Sequence, residues 1–133
     1  MSWNQHVTKL VDIPTGEGKC IFAAFHKLSD GKCLAQEPSH SPSVSPEEIK
    51  NIKKGFDSPE MLFSTGVTLK ALRFIYLTNI DNAILARKRN LGCILIKCQN
   101  NKIVLIGIHS CNEATINVFK QMNEVVEKSK DAY

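Results

Sequence analysis

The chain has 133 residues, of which 43% are hydrophobic and 23% charged, and its formal net charge is +4. This length predicts one domain over residues 1–133, and no apolar run approaches the roughly 20 residues of a membrane-spanning helix. The charge is far below that of a dedicated nucleic-acid-binding domain, so we expect no nucleic-acid partner.

The cysteines argue for a reducing compartment. Their number is odd and their spacing irregular, at positions 20, 33, 93, 98 and 111. Such a pattern does not suit a disulfide framework. The N-terminus also lacks the basic and apolar regions of a signal peptide. We therefore expect a cytoplasmic protein with free thiols.

The first half of the chain predicts two helices separated by a β-hairpin. Ser2 and Gln5 have the spacing of a capping box, which favours a helix start at this point. Apolar residues then predict strands over 20–26 and 32–36 around a glycine turn. The sequence Ser-Pro-Glu-Glu at 45–48 is a second capping box, with proline at the favoured first helical position.

A strand-rich block from Leu72 to His109 organises the second half. Four apolar runs are separated by Asp-Asn, Arg-Asn and Asn-Asn pairs, which predict tight turns and hence antiparallel strands. Because several runs are nearly continuous in apolar residues, we expect helices to cover both faces of this sheet. A last helix follows, with Asn112 as its candidate N-cap.

This order of elements predicts an α+β fold. We expect an antiparallel central sheet of about six to seven strands. The N- and C-terminal helices would lie on one face and the short internal helices on the other.

The sequence offers no catalytic or metal-binding motif. A turn at Asn100-Asn101 would pair Cys98 with Ile103 and Cys93 with Ile108. The two cysteines are five residues apart, so on regular strands they would point to opposite faces and could not share one zinc ion. There is no phosphate-binding glycine loop and no nucleophile elbow. We expect no enzymatic activity, no cofactor and no metal.

Six short segments resemble the profilin family and occur in that family's order. They are Met1-Ser-Trp3, the hairpin over 28–36, Ser-Pro-Glu-Glu-Ile at 45–49, Phe-Asp-Ser-Pro at 56–59, Thr-Gly-Val-Thr-Leu at 65–69, and Arg87-Lys88-Arg89 before Gly92. The resemblance implies a profilin-like domain that binds monomeric actin.

The resemblance also implies which residues contact actin. Arg73, Arg87 and Arg89 match cationic contact positions, and Lys88 and Lys97 complete the basic set. An apolar contact position and a contact asparagine match Phe63 and Asn117. Two alternatives stay open: the cations could be an ordinary solvated sheet edge, and Phe63 could be a core residue.

Profilins also bind poly-proline between their terminal helices, and here most of the expected aromatic positions are replaced. Trp3 is kept and Tyr133 could supply a second ring, whereas the other positions hold His6, Leu34 and Val125. We expect proline-rich partners to bind weakly or not at all.

A further departure lies at Lys70-Ala71, where the family has paired glycines. A tight turn with positive φ is unfavourable for both residue types.

The expected function is therefore that of a cytoskeletal regulator that sequesters or delivers monomeric actin. The same cations could bind phosphoinositide headgroups in competition with actin. The alternative is a profilin-like scaffold or trafficking domain that docks another protein and does not bind actin.

Overall fold

The computed structural model describes residues 2–131, which form four helices and seven strands. The helices are α1 (Trp3–Val11), α2 (Pro46–Asp57), α3 (Leu62–Thr65) and α4 (Thr115–Lys128), with 3₁₀ turns at Pro59–Met61 and Ser129–Asp131. The strands are β1 (Phe22–Lys27), β2 (Cys33–Glu37), β3 (Val67–Leu69), β4 (Leu72–Ile80), β5 (Ala83–Lys88), β6 (Leu91–Cys98) and β7 (Ile103–Ser110). No helix in this range is long and apolar enough to cross a membrane.

The strands form one curled antiparallel sheet in the order β2-β1-β7-β6-β5-β4-β3. Helices α1 and α4 pack on one face, and α2 and α3 pack on the other. This arrangement confirms the predicted fold class. The predicted register is also confirmed, since Cys98 pairs with Ile103 and Cys93 with Ile108.

Each face of the sheet has its own hydrophobic core. Phe74 and Leu95 are fully buried beneath α2 and α3, whereas Phe25 and Leu105 are fully buried beneath α1 and α4. Alternate residues of β6 and β7 therefore enter different cores. For this reason these strands read as continuous apolar runs in the sequence.

Both predicted capping boxes are present, at Ser2 with Gln5 and at Ser45 with Glu48. The predicted last helix is present, but its predicted N-cap is wrong. Its N-cap is Ala114, which makes no side-chain cap hydrogen bond, and Asn112 lies two residues earlier. The intervening Glu113 turns towards a loop of the opposite half of the chain.

The turn between β3 and β4 adopts the positive-φ geometry without glycine. Lys70 has a φ of 54° and Ala71 a φ of 66°. Glu48 satisfies both amides: its Oε1 accepts from the Lys70 N–H at 3.0 Å and its Oε2 from the Ala71 N–H at 2.8 Å. The Lys70 Nζ donates to Ser41 Oγ at 2.6 Å and lies 4.1 Å from the centroid of the Phe22 ring. Contacts outside the turn thus offset its local strain.

The expectation of helices over both faces fails at β4. Helix α4 packs mainly against β6 and β7. Ile75 and Leu77 are consequently 67% and 52% exposed. A continuous apolar run indicates that both faces of a strand carry hydrophobic side chains. It does not show that helices of the same chain cover both faces.

We predict that Glu48→Ala lowers the free energy of unfolding by about 2–4 kcal/mol, because three backbone N–H groups lose a charged acceptor. The third of these donors is Ser45 N–H, at 3.0 Å. Urea unfolding followed by circular dichroism measures the change. Glu47→Ala is the matched control, since Glu47 is an exposed first-turn carboxylate whose removal should cost less than about 1 kcal/mol. An equal decrease in the free energy of unfolding of the two variants would show that the hydrogen bonds from Glu48 to the turn do not stabilise the fold.

Candidate functional site

The part of the sheet that α4 leaves uncovered carries cations beside apolar side chains. We call it the open face and define it by Arg73, Ile75, Leu77 and Arg87. Ile75 pairs with Arg87 across β4 and β5, so their side chains are neighbours on one face. Arg73 is two residues before Ile75 and points to the same side. Rigid strands therefore fix the spacing of these groups.

A cavity of about 270 Å³ lies between the open face and the start of α4. Its lining mixes apolar, cationic and polar side chains, among them Leu77, Leu85, Arg87, Arg89, His109 and Thr115. No group of three or more His, Cys, Asp or Glu residues within 2–131 could hold a metal ion.

The three arginines differ in how firmly they are held. Arg73 donates from Nε to the carbonyl of Thr65 at 3.0 Å and from Nη2 to that of Ser64 at 2.9 Å. It thereby fastens the end of α3 to β4. Arg87 is exposed on β5, and Arg89 is exposed in the following turn with a φ of 48°. Among the described side chains none forms an ion pair with these arginines, so their charge is available to a partner.

The structure does not bring the two lysines of the predicted basic set to the open face. Lys88 follows Arg87 on the same strand and points to the opposite side. Lys97 also lies on that side, where its Nζ is 5.1 Å from the centroid of the Phe56 ring of α2. Of the predicted basic set, Arg73, Arg87 and Arg89 therefore remain at this surface.

Phe63 and Asn117 are both available at the surface. Phe63 is 74% exposed on α3, and its ring meets Tyr76 edge-on with centroids 4.9 Å apart. It is therefore not the core residue of the alternative interpretation. Asn117 is exposed in the first turn of α4, beside Ile116, which is also exposed.

Glu113 fixes the start of α4, and sequence reasoning missed it. Its carboxylate accepts the backbone N–H groups of Gly16 at 2.7 Å, Gly18 at 2.8 Å and Lys19 at 3.0 Å. The hydrogen bond from Gly16 is the main reason that the pKa of Glu113 lies below its usual value. A side-chain atom on Gly18 would come within 2.5 Å of the Asn117 carbonyl oxygen, so only glycine allows this approach. In the sequence, the closely spaced Gly16 and Gly18 were the signal that this loop approaches another part of the backbone.

The residues expected to line a poly-proline cleft are largely inaccessible. Trp3 is half-buried, with its ring centroid 4.7 Å from that of Phe25, and Leu34 is half-buried in the same cluster. His6 and Val125 are buried. Burial is the main cause that lowers the pKa of His6. Tyr133 lies outside the described residues.

Comparisons with known proteins all lead to one family. The family profile described as Profilin matches residues 1–132. A profilin of Bombyx mori is 30% identical over 104 residues, which are 78% of each chain. The structure of Acanthamoeba castellanii profilin IA superposes with a TM-score of 0.80 at 22% identity over 98% of both chains. LokiProfilin2, solved as a complex with rabbit actin, has a TM-score of 0.71 at 8% identity and covers 97% of this chain and 96% of its own.

The cysteines divide sharply in accessibility. Burial raises the pKa of Cys20 and of Cys98 to about 12, and it also raises the pKa values of Cys93 and half-buried Cys33. Cys111 is exposed at the rim of the cavity. Because the thiolate is the reactive form, the buried thiols should be inert in the folded protein.

We predict that Cys111 alone reacts rapidly with a thiol reagent in the native protein at neutral pH. Cys111→Ser should abolish this fast phase. After denaturation without reductant all five thiols should titrate, since the five cysteines are free in the structure. Fewer than five titratable thiols, or stoichiometric zinc by elemental analysis, would contradict this assignment.

Proposed function

Since the chain belongs to the profilin family, we propose that it binds monomeric actin through the open face and the adjoining basic turn. Profilins are a non-enzymatic family of actin-binding proteins. The observation that carries the proposal is the pairing of Ile75 with Arg87 on the face of β4 and β5 that lies opposite α2 and α3, where Ile75 is exposed. That LokiProfilin2, a protein of the same fold, forms a complex with rabbit actin also supports it.

The open face combines the two ingredients of a specific protein interface. Arg87 and Arg89 carry unpaired positive charge, which would steer a strongly acidic partner such as actin and raise the association rate. Ile75 and Leu77 supply apolar area whose burial would lengthen the lifetime of the complex. An exposed apolar patch rimmed by charge is typical of a protein-binding surface.

Arg73 would contribute in a different way. Two of its donors already bind carbonyls of α3, so its guanidinium is held in place before any partner arrives. A pre-oriented side chain loses little conformational freedom on binding. Asn117 would extend the contact onto α4. Phe63 lies beside Tyr76 on the side of the sheet that α2 and α3 cover, as do Lys88 and Lys97, so it would contribute where a partner reaches around the edge of β4.

We further propose that the protein sequesters monomeric actin or delivers it to filament ends, as one profilin-like domain over residues 1–133 in the cytoplasm. Phosphoinositide headgroups are a second class of ligand for Arg87 and Arg89, because their phosphates accept the hydrogen bonds of guanidinium groups. Lipid and actin would then compete for the same two side chains.

We predict that Arg87→Glu with Arg89→Glu weakens actin binding by about 2–5 kcal/mol, because the cations become charges that repel the partner. Titration of fluorescently labelled monomeric actin at two salt concentrations provides the measurement.

The matched control for this experiment is Lys53→Glu with Lys54→Glu on α2. It changes net charge equally but alters exposed side chains on the helix that covers the other face. Its affinity should stay within about threefold of the parent's at moderate salt, where charges this far apart are screened. If both variants bind actin as well as the parent does, the protein does not use the open face. If the parent itself does not bind, the scaffold alternative replaces this proposal.

Poly-proline binding should be weak or absent. Each missing hydrogen-bonding aromatic costs about 1–3 kcal/mol at a small interface, and buried His6 and Val125 replace two such residues. Titration with a proline decamer while following Trp3 fluorescence tests this. Leu34→Trp serves as the control, because it restores a ring at a half-buried position and should strengthen any response. Saturation of the parent at micromolar peptide would contradict the prediction.

A further inference from the structure

The outer edge of β4 has no partner strand over most of its length. Strand β3 pairs only with Leu72, Arg73 and Phe74. Over residues 75–80, no other strand within residues 2–131 pairs with β4 on that side. The edge of a strand carries backbone N–H and C=O groups that can pair with another chain.

The side chains of this edge do little to keep another strand from pairing with it. Its sequence is Ile75-Tyr-Leu-Thr-Asn-Ile80, with no charged residue, proline or glycine. Ile75, Leu77 and Ile80 are all exposed, the last by 40%. Uncharged, β-branched and apolar edges are sites of strand addition.

A β-bulge makes the edge self-complementary. In a regular strand Ile75 and Ile80, five residues apart, would point to opposite faces. The pairing with β5 shifts between Tyr76 and Thr78, so that Ile75 lies opposite Arg87 and Ile80 opposite Ala83. Those two β5 residues are four apart and share a face, so Ile75 and Ile80 share a face as well. Tyr76 and Asn79 lie together on the other face, where the Tyr76 hydroxyl donates to Asn79 Oδ1.

We propose that β4 pairs with β4 of a second copy of this chain, antiparallel and about a twofold axis between Leu77 and Thr78. In this register Ile75 lies opposite the partner's Ile80, and Tyr76 lies opposite the partner's Asn79. Such a pairing requires the members of each pair to share a face, and the bulge meets that requirement.

Charges at the two ends of the edge favour the same orientation. Arg73 precedes the uncharged segment and Asp81 follows it. Antiparallel pairing brings each Arg73 towards the end of the partner strand that carries Asp81, whereas parallel pairing would bring like charges together. Strand β3 limits the free edge to six residues. Because both copies use this same edge, the contact occupies it on each of them. The assembly therefore closes as a twofold dimer and does not continue as a stack.

The dimer is tested with the full chain alone, so its failure leaves the actin proposal untouched. Sedimentation equilibrium over about 1 μM to 1 mM covers the dissociation constants of small interfaces. We expect a reversible equilibrium between monomer and dimer. Ile75→Lys and Ile80→Glu should each weaken the dimer about tenfold or more, because each places an unpaired charge against an apolar side chain.

The combination of both substitutions tests the register. Each introduced ammonium then lies opposite an introduced carboxylate of the partner, so the double variant should dimerise more tightly than either single variant. Thr78→Lys, next to the twofold axis, should also weaken the dimer, and neither of these two substitutions supplies a carboxylate opposite it. Circular dichroism and thermal unfolding verify that each variant folds, as expected for exposed positions.

Three results would overturn the proposal. A parent that stays monomeric at every concentration excludes the dimer. A dimer that is insensitive to Ile75→Lys, Ile80→Glu and Thr78→Lys uses another surface. A double variant no better than the single variants excludes this register.

Discussion

The position of the β3–β4 hairpin depends on the carboxylate of Glu48. This one group completes the capping box of α2 and also accepts both amides of the Lys70-Ala71 turn. The hairpin lies at one end of the sheet order, where a three-residue strand alone could not fix it. Hydrogen bonds to a charged acceptor are stronger than those between neutral groups. Through the hairpin, Glu48 also helps to hold the end of β4 that carries Arg73.

Strand β4 is exposed in two independent ways. One of its two faces is left largely uncovered, because α4 packs mainly against β6 and β7. Its edge lacks a strand because β3 is short. Exposed side chains favour a partner that brings a complementary surface, whereas an exposed backbone edge favours a partner that brings a strand. Ile75 and Leu77 belong to both surfaces, so occupation of one restricts access to the other.

Local sequence patterns predicted the local features of this fold. The two capping boxes, the tight turns and the opposite orientation of Cys93 and Cys98 all depend on residues close in the chain. Two predictions were wrong: that Asn112 is the N-cap of α4, and that helices cover both faces of β4. Both depend on the position of α4 in the fold, which a short stretch of sequence does not contain. The contacts of Glu113 and Glu48 join residues 22 to 97 positions apart. The side of the sheet on which Lys97 lies could have been predicted. Gly92 pairs with Arg87 and so shares its face. Lys97 is five residues from Gly92 and therefore points to the other face.

The loop before β1 depends on Glu113 in a way that affects its dynamics. Three of its amides, on Gly16, Gly18 and Lys19, share one carboxylate acceptor. When that carboxylate swings away, all three lose their acceptor at once, so the segment opens as a single cooperative unit and does not fray residue by residue. In amide hydrogen exchange these three groups would show one common opening free energy. A ligand that immobilises the start of α4 would slow the exchange of all three together.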